Sequence, residues 1–520
     1  CILSFFPLLA HGLSKEELEP YRTNNIQIQS SYLAEDSEIS ILRSGTAPSN
    51  CKHLMLYGQP TLPHQHGDKL GLWLGAYGTH LLAFGGHYPF IWIGPKISGW
   101  ETHSASCNVV LIDGKNQSSS SSIQLEHYEG QAFQLAGMEN KEAYPGSHYE
   151  RWSMLATAPD GENAYVLDRF MVSGGKTFDY NTHGLDVGID QVLFHGKHDW
   201  TLLKGTLAGE DVPLYGQPGY GWMQAIRKTN IKGTITWEYP YENCSLKITS
   251  LDNGNKRELY YCLGEKGGYE MKKSPWDSYV LIRDENENDP SRKAMFTTIM
   301  EPYQGQPFIR SILSMERIQN SPCIAAGFAP TGIEIVYTDD IHRDIILCSP
   351  EGYPACFKDS SGILHTSDAV ALLIRYEGDK IVYYEAIGYT LIQSGDLELT
   401  AISPVWEGTV EDVSLKERKI TVSFNGEAPK DSDIANRVGF ITSDRYKKPS
   451  PYYLRDVKID GEKMVFHTDI TLIRGEEGWK GSEKALVQQG KASVEFEGLK
   501  VLADVIPSDR FYIRNRIKSV

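Results

Sequence analysis

From Ile39 onward the chain runs in short apolar stretches separated by Gly, Pro, Asn and Asp. Residues 38–42, 70–74, 109–112, 164–167 and 333–337 are of strand length rather than helix length. Before them, Ser14-Lys15-Glu16-Glu17-Leu18 has the form of a helix start, with Ser14 as N-cap and Glu17 three residues on. Asn253-Gly254, set between two apolar runs at 246–249 and 258–261, predicts a hairpin. Many short strands in succession predict a mostly β chain built on a large antiparallel sandwich. A boundary is expected near Pro404. In the tail, Ile420, Val422 and Phe424 alternate with polar residues, so one face is buried and one is wet. The chain then divides into residues 1–36, a helical remnant with linker; 37–403, the antiparallel β-sandwich; and 404–520, a small all-β accessory domain. The serines at 118–122 read as a solvated loop.

Composition narrows the function classes. Over 520 residues, 41% are hydrophobic and 23% charged, an ordinary globular balance, and 29 Tyr with 48 Gly tilt it toward strands and turns. The net charge of −16, without a basic stripe, argues against a nucleic-acid partner. An anionic substrate would need a local basic or metal-bearing patch. Eight cysteines without a Cys-x-x-Cys pair exclude a structural zinc knuckle. Cys348 with Cys356, and Cys244 with Cys262, are close enough in sequence to bridge. The only apolar N-terminal run, 2–10, is interrupted by Pro7 and falls short of the ~20 residues of a transmembrane span. No basic region precedes it, so a signal peptide is not indicated, and a chain opening on Cys1 is expected to lack an upstream part; a lipoprotein-type Cys1 is the alternative. The sequence leaves the oligomeric state open.

The most informative chemistry is Leu62-Pro63-His64-Gln65-His66-Gly67-Asp68. In an extended run, side chains at i, i+2 and i+4 share a face, so His64, His66 and Asp68 would converge on one small volume suited to a metal ion or an anionic substrate. Asp68 either orients a histidine, contacting substrate beside it, or caps a turn. Tyr180-Asn181-Thr182-His183 makes His183 a candidate substrate contact, whereas His195 and His198 flank Gly196-Lys197 and read as an exposed loop. Trp73, Trp92, Trp100, Tyr77 and Tyr88 crowd the motif region. The Gly-rich stretch from Tyr215 to Trp222 lacks the Lys-Ser/Thr of a phosphate loop. No Gly-x-Ser-x-Gly elbow and no dinucleotide fingerprint occur. Glycoside hydrolysis would need a facing carboxylate pair that the sequence does not show.

The order of motifs — Ser37 to Gly45, His64-x-His66-x-Asp68, residues 81–86, Asn108 to Gln117, then Tyr165-Val166-Leu167-Asp168-Arg169-Phe170 — resembles the β-sandwich half of heparinase II/III-like polysaccharide lyases over about residues 37–230, and more loosely to about 400. The resemblance implies an (α/α) toroid packed on the sandwich, with residues 1–36 as its remnant and linker. It implies β-elimination at a uronic acid of an acidic polysaccharide bound in the cleft between them, by a secreted or periplasmic protein. In the family the toroid supplies a Tyr and an Asn or His; none can be placed in this sequence. His64 matches the family's catalytic histidine of the β-domain. His66 matches its metal-binding histidine. The family's Asp is absent from 82–86, and Cys107 stands where its second His would stand. A divalent ion such as zinc would then rest on His66, Cys107 and His87, with His103 an alternative to His87. The rival expectation, from a different class, is a glycan-binding or structural sandwich protein without turnover.

Overall fold

The computed structural model describes residues 31–35, 38–45, 47, 49–59, 66–82, 97–185, 187–265, 276–285, 292–318, 328–470, 472–475, 494–496 and 499–519. The expected helix at Ser14, and His64 and His87, lie outside them. The described chain is mostly β, in antiparallel sheets.

The middle of the fold is an eight-stranded central sheet with Ile123–Glu129 and Leu193–Phe194 at its two edges. Its long strands Tyr149–Thr157 and Ala164–Ser173 are buried almost throughout because both faces are covered. On one face Leu155, Val166 and Phe170 pack with Val110, Tyr180 and Ile282 of a six-stranded outer sheet, and with Leu54 and Leu72 of a five-stranded N-terminal sheet. On the other face Trp152, Tyr165 and Leu167 pack with Ile335, Ile346 and Leu373 of a fourth sheet. The far side of that fourth sheet packs on a fifth through Ile345, Leu347 and Phe357. The span read as one sandwich is therefore a stack of sheets with separate apolar layers.

A seven-stranded sheet follows from Val405–Ser414, with its own core around Val422, Phe466 and Phe511. Lys419–Phe424 shows the alternating burial that its sequence predicts. The last strand, Arg516–Lys518, returns to pair with Lys380–Ile387 of the fourth sheet.

Three expectations are corrected. Asn253-Gly254 does not close a hairpin: Ser245–Ser250 belongs to the central sheet and Arg257–Glu265 to the outer one. The connection is an arch between layers, held where Asn253 and Asn255 donate to Asp284 (3.2 and 2.7 Å), because apolar inner faces on both sides must pack against each other. The serine run is only partly solvated. Ser122 is buried, its N–H donates to Gly58 O (3.0 Å), and its carbonyl accepts from Lys448 of the C-terminal sheet (2.6 Å). Neither cysteine pair is bridged; all four are free thiols.

Candidate functional site

Residues 66–70 do not continue as a strand. They form a turn ahead of Gly71–Ala76, with Gly71 N–H donating to Asp68 O (2.7 Å) and Leu70 at φ +60. The alternation that would place His66 and Asp68 on one extended face is therefore lost. The loop lies against residues 101–104. His66 Nδ1 donates to Glu101 O, and Gly67 N–H to Thr102 O (2.9 Å). Because a carbonyl can only accept, Nδ1 carries the proton in this bond. A Cβ at Gly67 would sit 2.3 Å from Asn116 Oδ1 and 2.5 Å from Ser104 Oγ, so this close approach requires glycine.

Two buried side chains fix the loop from behind. Gln117 brackets Lys69: its Oε1 accepts from Lys69 N–H (2.7 Å), and its Nε2 donates to Lys69 O (3.0 Å) and Tyr149 Oη (2.9 Å). Arg151 donates through Nη1 to Leu70 O (2.7 Å) and Asn108 O (2.9 Å), while Nε and Nη2 grip both oxygens of Asp168 at 2.8 Å. Asp168 also accepts from Ser153 Oγ (2.7 Å) and Tyr180 Oη (2.9 Å). This guanidinium–carboxylate pair lies between the central and outer sheets and ties the His66 loop to the Asn108 segment. From the outer sheet, Asn181 donates to Ala105 O and Cys107 O, each at 2.9 Å.

The residues singled out by sequence that fall among the described ones have definite places. His66 is 8% exposed. Asp68, 3% exposed, faces Lys69 Nζ at 3.4 Å rather than solvent. His183 is fully enclosed: its ring stacks on Tyr279 (4.7 Å between centroids), and its N–H donates to Asn108 Oδ1 (2.9 Å). Both side chains are buried in this arrangement. The Cys107 thiol is buried with Val109, Met223 and Tyr279, and desolvation raises its pKa. His103 caps a single turn by accepting Ala105 N–H at Nδ1 (3.1 Å). Among the described residues no three His, Cys, Asp or Glu side chains gather as a metal-ligand set, so the fit to a zinc ion is incomplete there; His87 lies outside them.

Gln117 and Asp168, named by sequence only within longer motifs, and Arg151, not singled out there, carry the loop geometry. The signal for the pair was visible as Arg151 and Ser153 on the same side of a strand opposite Asp168, polar residues where an apolar face was needed. Replacing Gln117 by alanine leaves the Lys69 amide and carbonyl unpaired. A loss of about 1–3 kcal/mol is expected in urea unfolding.

Burial raises the Asp68 carboxyl to about 6, and burial lowers the His103 imidazole to about 4. Between pH 4 and 6 native Asp68 holds a proton that the unfolded chain has released, so its contribution to stability falls as pH rises. His103 acts oppositely, because the unfolded chain binds the proton that the native ring refuses. The two slopes offset each other in the parent protein. In Asp68→Asn the stability difference from the parent should climb by up to about 3 kcal/mol between pH 4 and 6. Chemical unfolding across that range checks this, and a difference that stays level would contradict it.

A second constellation, Asp359–His365–Ser394, has the spacing of a relay, with His365 Nδ1 2.8 Å from Ser394 Oγ and Nε2 3.2 Å from Asp359 Oδ2. His365 and Ser394 are fully buried, and Tyr376 Oη lies 2.8 Å from the serine, so it is an internal network rather than a nucleophile site.

No protein-family model matches the sequence, and no curated protein does. Solved structures do. A heparan sulfate lyase from Pedobacter heparinus is similar at 14% identity over 66% of this chain and 47% of its own, with a TM-score of 0.45. A heparinase III is similar at 13% identity over 68% and 43%, with a TM-score of 0.44. A galactose mutarotase-like protein from Clostridium acetobutylicum is similar at 9% identity over 54% of this chain and 100% of its own, with a TM-score of 0.31. The chain spans about half the length of the lyase structures that it matches. Among the described residues no helix is long and apolar enough to cross a membrane.

Proposed function

We propose that this chain is the β-sandwich part of a secreted or periplasmic polysaccharide lyase that cleaves a uronic-acid-containing acidic polysaccharide by β-elimination. In that reaction the proton α to the uronate carboxylate leaves to a base, the glycosidic C–O bond β to it breaks, and a carbon–carbon double bond forms. Loss of the α proton is feasible only when the carboxylate charge is neutralised. His64 supplies that neutralisation, since an imidazole can donate to a carboxylate near neutral pH. The observation that supports this reading most is the rigid seat immediately after His64. Residues 66–70 are pinned by Glu101 O, Thr102 O, Gln117 and Arg151, which is the support a catalytic group needs to hold its position. His66 acts as a positioning residue within that seat. In this reading a divalent ion would draw on His66 and His87.

The test is ultraviolet absorbance of the conjugated product when the full-length protein meets heparan, alginate, hyaluronan and chondroitin in turn. A steady rise with one of them is expected, and no rise with any would overturn the reading.

The enclosure of Asp68 and His183 favours a second reading, glycan binding without turnover. It predicts retention on one of those polysaccharides with no absorbance change.

A further inference from the structure

At the opposite edge of the two facing sheets from Val110–Ile112 and Ile123–Glu129, the outermost strands Leu193–Phe194 and Thr201–Leu202 leave a recess of about 390 Å³. That volume is at the small end of the range for small-molecule sites. Its walls include Phe194, His198, Trp200 and Tyr261, with Arg227 and Asp190. Phe194 meets Trp200 (5.0 Å) and Tyr261 (5.1 Å) edge to face, and His198 lies tilted 5.8 Å from Trp200. Phe194, His198 and Trp200 are each only partly buried. The Arg227 guanidinium stands 5.6 Å over the Tyr261 ring.

Arg227 has one weak partner. Its Nη2 donates to Asp190 Oδ1 at 3.2 Å, and the Asp190 side chain is 83% exposed. An ion pair this exposed contributes little, so a ligand carboxylate that offers both oxygens can displace it. The guanidinium also disfavours a cationic occupant. His198 is fixed by the bond from Nε2 to His195 O (2.9 Å), which orients its ring at the recess.

We infer that this recess is a binding site for a single sugar ring bearing a carboxylate. The C–H face of the pyranose lies on the aromatic wall formed by Trp200 and Phe194, and the carboxylate pairs with Arg227. The site is separate from the His66 loop and does not depend on the elimination reading. It would hold an acidic glycan to the protein whether or not the chain is cleaved elsewhere.

The full-length protein carrying His64→Ala, in which turnover is expected to be strongly lowered, is titrated by calorimetry with methyl glucuronide and with methyl glucoside. The acid should bind at least about tenfold more tightly than the neutral sugar, a preference that shrinks as salt is raised. Trp200→Ala should weaken the acid about tenfold or more. Arg227→Gln should abolish the preference for the acid. Asp190→Asn, a change at an exposed side chain, should tighten acid binding severalfold by freeing Arg227. Equal binding of the two sugars, no binding of either, or unchanged affinity in Trp200→Ala and Asp190→Asn would overturn the inference. A protein without lyase activity that still prefers the acid through Arg227 upholds it and rejects only the elimination reading.

Discussion

Asp168→Ala is expected to destabilise the protein by about 3–5 kcal/mol in equilibrium unfolding, the largest stability effect of any single change at the site. The carboxylate is fully buried and accepts four hydrogen bonds, two from Arg151 and one each from Ser153 and Tyr180. Removing it leaves the Arg151 guanidinium charged, with no carboxylate to balance it. In the parent protein, Coulombic attraction to Asp168 and its hydrogen bonds outweigh burial and hold the Arg151 pKa above the ordinary arginine value, and the substitution removes that compensation. The damage reaches the candidate site because the same guanidinium holds Leu70 O and Asn108 O. Tyr180→Phe, which removes one of the four bonds, should cost only about 1–2 kcal/mol. A loss below about 1 kcal/mol in Asp168→Ala would show that the pair is not the anchor described here.

His64→Ala is expected to lower kcat on a cleaved polysaccharide by about 10²–10⁴-fold while leaving the unfolding midpoint unchanged. In the proposed reaction the histidine acts on the carboxylate, whereas the described bonds that hold residues 66–70 come from Glu101, Gln117 and Arg151. Gln117→Ala should give the converse pattern, a lowered midpoint with a smaller loss of kcat. A His64→Ala protein with full kcat would remove the role assigned to that residue.

The strand rhythm was legible because apolar runs and turn residues report directly on local structure; the alternation of Ile420, Val422 and Phe424 reappears as alternating burial. Layering was not. Tyr149–Thr157 mixes Glu150, Arg151 and Ser153 with apolar residues, yet almost all of it is buried, since polar groups that satisfy one another across strands can replace an apolar face. Asn253-Gly254 misled for a related reason: a turn signal states that the chain reverses, and only tertiary packing decides whether it returns to the same sheet. At the site, the spacing of His66 and Asp68 suggested convergence, but Gly67 and the positive φ of Leu70 allowed a turn, and Gln117, far along the chain, fixed it. Contacts between distant segments leave no local pattern to read.

The most direct measurement is the mass balance of the products made by the full-length protein from a uronate oligosaccharide of known length. Elimination predicts two fragments whose masses sum to that of the substrate, one carrying a conjugated double bond. Fragments that sum to substrate plus one water would mean hydrolysis and contradict the account, as would an oligosaccharide recovered intact.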